Sequence, residues 1–262
     1  MKIKAEYIFA SFLSIVVFLC LKTEAQKPDI RFEYLKTEQG ASQNTISAIF
    51  KDRYGYIWFA TDDGLNKYDG YKVTRYRNNP KDPGSIGSNV VNCILEDSKG
   101  RLWIGVDQAG LHLFDRNTNS FTRFLHYDSV SSSLKDNTVL SICEDVSGNL
   151  WIGTNLGLDR MTAIGKFENY PIPPPTAGSE ANQQINTLFF DKQKRLWVGT
   201  AGTLAVLNTV TQNFTSYTYG GKDKNSRPFG NIRAFTQDDE GSIWIGTDNG
   251  LFLNKNAREE FS

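Results

Sequence analysis

Residues 138–161 read TVLSICEDVSGNLWIGTNLGLDRM, and the order of residue types in this stretch decides the fold. A short apolar run (VLSIC, 139–143) meets a polar turn opened by Asp145 and containing Gly148. A second apolar run follows around Trp151, then a turn containing Gly157, and the chain turns apolar again. The phrase recurs as DRYGYIWFAT (52–61), DSKGRLWIGV (97–106), DKQKRLWVGT (191–200) and DDEGSIWIGT (238–247). All five tryptophans, Trp58, Trp103, Trp151, Trp197 and Trp244, occupy the same place in it, 45, 48, 46 and 47 residues apart. Self-similarity at this period marks a repeat architecture.

Asp stands six residues before each Trp: Asp52, Asp97, Asp145, Asp191 and Asp238. Gly stands three before it at Gly55, Gly100, Gly148 and Gly241, with Lys194 the exception. Asp-x-x-Gly reads as a tight turn, because the carboxylate accepts a hydrogen bond from the backbone two residues on and Gly tolerates positive φ. A calcium loop is the weaker reading, since its spaced oxygen ligands are missing. The preceding runs, ISAIF (46–50), VNCIL (91–95), VLSIC (139–143), INTLFF (185–190) and IRAF (232–235), are short and bounded by turns, which reads as buried strands. Each carries a small residue, Ala48, Cys93, Ser141, Thr187 or Ala234, suited to crowding near a central axis. A fourth segment carries an aromatic pair three apart (Phe121 and Phe124, Phe167 and Tyr170, Phe214 and Tyr217), with Val73 and Tyr76 in those places in the first unit.

Four short strands per unit of about 45 residues is the pattern of a β-propeller blade. The expectation is an all-β propeller with blades at about 45–77, 89–125, 138–171, 185–218 and 231–262. One blade cannot bury both faces of its sheet, so neighbours complete the core and Trp is the large filler between them.

Residues 1–25 read as a secretory signal peptide: Lys2 and Lys4, an apolar run from Tyr7 to Leu21, and Thr23-Glu24-Ala25 before Gln26. The alternative is an uncleaved anchor, although a run of about 15 is short for a span of roughly 20 residues. Without these residues the chain keeps 26 basic and 27 acidic side chains and no basic stripe, which excludes the electrostatic footprint of a nucleic-acid binder. Cys93 and Cys143 read as buried small residues rather than a disulfide. With His112 and His126 the only histidines, no zinc cluster, cofactor motif or catalytic triad stands out.

A meander blade alternates direction, so the turns after the Trp strand share a face with the blade-to-blade connections. Those connections (77–89, 125–137, 171–184 and 218–231) are long and unlike one another, and varied loops on a repeated scaffold are where binding concentrates. The adjoining turns supply Asp62, Asp63, Asp107, Gln108, Asn155, Asp248 and Asn249, whose amides and carboxylates suit a polyhydroxylated ligand. The other reading, solvated turn residues, stays open for each of them singly.

The stretches quoted above and IRAFTQDDEGSIWIGTDNGLFL (232–253), with GLNKYDG at 64–70, resemble the two-component regulator propeller repeat over essentially all of 31–262. That repeat builds the periplasmic sensor region of hybrid two-component systems in glycan-degrading bacteria. The resemblance implies an exported, periplasmic sensor of an oligosaccharide. Its kinase, receiver, DNA-binding domain, membrane span and further propeller blades would lie outside these residues, with a homodimer in the intact sensor. It also implies seven blades per ring, so five make an incomplete propeller. RFEYLK (31–36) carries the aromatic-apolar spacing of an outer strand that would complete the last blade, and Phe261 begins a competing strand. The other function classes are a secreted, lyase-like propeller enzyme and a scaffold for protein contacts. An enzyme should bring a His or paired acids to the varied-loop face, where His126 is the only histidine.

Overall fold

The computed structural model describes residues 42–173, 183–217 and 229–255. The expected signal peptide, the 31–36 strand, Phe261 and parts of the two later connections lie outside them. The described residues form four four-stranded antiparallel sheets and one three-stranded sheet, each a simple meander, which are successive blades of a β-propeller. Blade one comprises β1 (Ile46–Lys51), β2 (Ile57–Thr61), β3 (Gly64–Tyr68) and β4 (Val73–Tyr76). Blade two comprises β5 (Val91–Glu96), β6 (Leu102–Val106), β7 (Gly110–Asp115) and β8 (Ser120–Phe124). Blade three comprises β9 (Val139–Glu144), β10 (Leu150–Thr154), β11 (Gly157–Ala163) and β12 (Lys166–Tyr170). Blade four comprises β13 (Ile185–Phe190), β14 (Arg195–Thr200), β15 (Leu204–Asn208) and β16 (Asn213–Tyr217). Blade five shows β17 (Ile232–Gln237), β18 (Ile243–Thr247) and β19 (Gly250–Asn254).

The Asp of each repeat does more than make a turn. Its Oδ1 accepts backbone N–H groups two and four residues on, as at Asp52 from Tyr54 and Tyr56, both at 3.0 Å. Its Oδ2 accepts the indole Nε1–H of its own Trp, at 2.9 Å from Trp58, 2.9 Å from Trp103, 3.1 Å from Trp151, 2.7 Å from Trp197 and 3.0 Å from Trp244. A buried indole needs a partner for its N–H, so the six-residue spacing is fixed by one carboxylate serving both turn and tryptophan. Where the fourth blade lacks the turn glycine, Lys194 itself takes φ 64°.

The small residues of the first strands lie where neighbouring first strands crowd together. Cys93, Ser141, Thr187 and Ala234 each lie opposite a glycine of the Trp strand: Gly105, Gly153, Gly199 and Gly246. A Cβ on Gly105 would stand 2.3 Å from Cys93 Sγ and 2.7 Å from Val139 of the next blade; one on Gly153 would meet Ser141 and Ile185 equally closely. The crowding is between blades, where the small residue and the glycine make room for the next first strand. Both described cysteines are unpaired thiols, and burial pushes Cys93 up to about 12.

Four of the five tryptophans pack forward. Trp58 sits with Val91, Ile104 and Phe114 of blade two, Trp103 with Val139 and Ile152 of blade three, Trp151 with Ile185 and Val198 of blade four, and Trp197 with Ile232 and Ile245 of blade five. These four are buried, whereas Trp244 is half-buried and Leu251 beside it is 64% exposed. On the first blade Ile49 is 65% exposed. First strands pack in the order β1, β5, β9, β13, β17, and the same packing does not join β17 to β1 among the described residues. Among the described residues the more exposed blade faces are thus the Ile49 side of blade one and the Trp244–Leu251 side of blade five.

Candidate functional site

The turns after the Trp strands and the blade connections do share one face, because they are bonded together. Gly64 N–H donates to Asn89 O (2.6 Å), Gly110 N–H to Asn137 O (2.7 Å), Asn155 N–H to Thr138 O (3.0 Å) and Asp248 N–H to Asn231 O (3.1 Å). Within the turn a threonine closes the hairpin in blades one, three and five: Thr61, Thr154 and Thr247 donate Oγ1–H to the carbonyls of Gly64, Gly157 and Gly250. The same oxygen accepts a turn N–H, from Asp63 at 3.1 Å and from Asn249 at 3.1 Å. Polar residues are thus held at fixed places above a rigid sheet.

All seven residues singled out in the sequence lie in these turns, in blades one, two, three and five, but they are not equivalent. Asp63 is ion-paired with Arg77. Asp248 is held by Arg233 Nε at 2.9 Å and by Asn231 Nδ2 at 2.6 Å, and the Arg233 hydrogen bond keeps its carboxyl below the usual carboxylate range. Asp62, Gln108, Asn155 and Asn249 are exposed and Asp107 is half-exposed. Gln108 reaches φ 54°, the left-handed region. Arg77 and Arg233 were not anticipated. Both lie outside the recurring phrase, and nothing in its spacing marks them. They make the face mixed in charge rather than acidic.

A second set was missed. Asn66, His112 and Asp159 occupy the same register position, opposite Phe59, Ile104 and Ile152, and all three are buried. Each pins the segment leading into its own blade: Ser42 N–H to Asn66 Oδ1 at 3.0 Å, Gly87 N–H to His112 Nε2 at 2.9 Å, Lys135 N–H to Asp159 Oδ2 at 2.9 Å. Burial drives His112 down to about 3, so it stays a neutral acceptor. Burial drives Asp159 up to about 6, and its Oδ1 has no partner. Their register was legible, but their role required knowing which loop lay over them.

The loop histidine is bonded within its own connection. His126 Nδ1 is 2.6 Å from Leu134 O and Nε2 is 2.9 Å from Asp128 Oδ1; the Leu134 carbonyl, then Asp128, raise its pKa. Among the described residues no group of three or more His, Cys, Asp or Glu could hold a metal ion. No helix among them is long and apolar enough to cross a membrane.

This arrangement defines a β-propeller whose repeats build the scaffold and whose connections form a polar face. The chain carries five two-component regulator propeller repeats: segments 40–63, 85–108, 133–156, 179–202 and 226–249 match the family model described as "Two component regulator propeller". A crystal structure described as the extracellular domain of a hybrid two component system from B. thetaiotaomicron is similar at TM-score 0.75 and 29% identity, over 88% of this chain and 31% of that one. Histidine kinase P4 of Formosa agariphila is 41% identical over 69 residues, 26% of this chain and 5% of that protein. The chain thus spans less than a third of the length of either. Virginiamycin B lyase from Staphylococcus aureus shares the fold alone, at TM-score 0.60 and 14% identity over 82% of this chain and 67% of that one. The chain is a propeller domain similar to extracellular sensor domains of two-component systems.

Proposed function

We propose that this chain is the ligand-receiving part of a periplasmic two-component sensor, exported by residues 1–25, and that it binds an oligosaccharide on the varied-loop face. One observation carries the reading: exposed amides and carboxylates, with Asp63–Arg77 and Asp248–Arg233 pairs beside them, are fixed by backbone bonds between turns and connections. Sugars are recognised by such pre-organised polar groups, whose ordering cost is met before the ligand arrives. Signalling then belongs to domains beyond these residues. Completion of the ring by further blades is part of the same reading, supported by the half-exposed Trp244 and exposed Leu251.

Calorimetry of the full chain against a panel of neutral oligosaccharides tests it, beside a variant with Asp62, Asp63, Asn155 and Asp248 all replaced by Ala. Binding lost in the variant, with unchanged melting, is the expected result. Binding that survives intact moves the site off this face.

A further inference from the structure

The first blade carries a further feature on the opposite, Asp-turn side of the sheet. A cavity of about 390 Å³ lies between blades one and two, lined by Tyr56, Lys67, Asp69, Lys72, Thr74 and Tyr76, with Asn119 from the β7–β8 turn. Folding does not require these residue types. Two residues before Trp, the second and fourth blades place Arg101 and Arg195, which donate to their own Asp97 and Asp191 at 2.6 and 2.7 Å, and the third places Asn149, which does the same for Asp145 at 3.0 Å. Tyr56 does not do this, and Asp52 is instead served from the next blade by Arg116 at 2.7 Å. Opposite Trp, the other blades carry Leu113, Arg160, Val206 and Leu253. The first carries Lys67, whose Nζ lies 3.9 Å from the centre of the Tyr56 ring. Lys67 makes no ion pair among the described residues. Asp69 is committed to the hairpin, its Oδ1 accepting from the N–H of Tyr71 at 2.9 Å and of Lys72 at 2.8 Å. Tyr76 Oη–H donates to Asn119 Oδ1 at 3.1 Å, so that amide still has its N–H groups to offer.

We propose that this cavity is a second binding site, separate from the varied-loop face, and that it takes an acidic sugar residue, one bearing a carboxylate or a sulfate. Lys67 and Lys72 supply the counter-charge, and with Asp69 the lining is cationic by one. Thr74 and Asn119 supply hydroxyl and amide partners for ring hydroxyls, and Tyr56 and Tyr76 supply apolar surface for the sugar's C–H face. A bare inorganic anion leaves most of these groups unused.

The full chain is titrated with a uronic-acid disaccharide, a sulfated disaccharide, the neutral disaccharide of matching linkage, and inorganic sulfate. At least one acidic disaccharide binds about tenfold or more tighter than the neutral one, a difference of about 1.4 kcal/mol, and tighter than sulfate. Lys67→Met removes that preference, Lys67→Arg keeps it, and alanine at Asp62, Asp63, Asn155 and Asp248 leaves it unchanged, which separates this site from the loop face. If Lys67→Met does not fold, Lys72→Gln, at an exposed position, weakens acidic binding in its place. Equal binding of acidic and neutral sugars, binding of sulfate as tight as either, no binding of the acidic sugars, or acidic binding indifferent to both lysines overturns the proposal.

Discussion

Replacing Trp151 by Ala tests whether the repeated tryptophan is a core residue or a binding surface. Trp151 has no exposed surface, and its ring stands 4.9 Å from that of Tyr170. It is the filler between blades three and four. Truncating a buried Trp costs about 3–5 kcal/mol through lost transfer energy and the cavity left behind. The Nε1–H to Asp145 bond is lost as well, but Asn149 Nδ2 still donates to Asp145 Oδ2 at 3.0 Å. The carboxylate is therefore not orphaned, and no further large penalty arises from it. At about 2–4 °C per kcal/mol for a chain of this size, the melting temperature should fall by roughly 6–20 °C. The assay is thermal and urea unfolding followed by far-UV circular dichroism, which does not depend on the deleted fluorophore. Trp244→Ala is the internal control, because its ring is half-buried and should cost clearly less. Unchanged melting of Trp151→Ala would show that this ring is not a core filler, and a Trp244 variant that loses as much would show that burial between blades does not set the cost.

Two buried pegs should give opposite pH dependences. His112, held near 3 against a usual 6.5, contributes stability that is full above pH 6.5 and lost as pH falls toward 3; Asp159, raised to about 6 from 3.8, contributes stability that is full below pH 3.8 and lost as pH rises through 6. Asp159→Asn should therefore steepen the fall in melting temperature on acidification from pH 6 to about pH 4, and His112→Gln should flatten it. Profiles parallel to the parent protein would contradict both assignments. Lys194→Gly, which relieves the φ of 64° in the only Asp turn without glycine, should stabilise by roughly 1 kcal/mol, read as a higher urea midpoint. Export predicts a mature chain beginning near Gln26; N-terminal sequencing of native material that still carries Lys2 would exclude cleavage.

Trp58 and its four counterparts, together with Asp and Gly, announced the blades because each repeat needs the same turn, filler and strand spacing. What the spacing could not convey was which group satisfies which. The Asp-to-Trp bond was hidden behind a turn explanation that is true but incomplete, and the small first-strand residues gave no sign that Gly105, Gly153 and Gly199 face them or that the next first strand fills the space. The site was legible only as a face. Asp62 and Asn155 could be placed on it because hairpins alternate direction. Arg77, Arg233 and the pegs could not, since their roles depend on contacts 14 to 25 residues away that the repeat spacing does not mark, such as Gly87 with His112. Lys67 and Tyr56 became visible as departures only once their register mates in the other blades were known.

If the repeats are scaffold and the varied-loop face receives the ligand, the two faces of the propeller should respond differently to it. Hydrogen–deuterium exchange of the full chain, with and without the tightest neutral oligosaccharide from the panel, tests it most directly. Slowed exchange is expected in the turns at 61–64, 106–110, 154–157 and 247–250 and in the connections bonded to them, with unchanged exchange in the Asp turns at 52–55, 97–100, 145–148 and 238–241. Protection confined to the Asp turns, with the loop face unaltered, would contradict it.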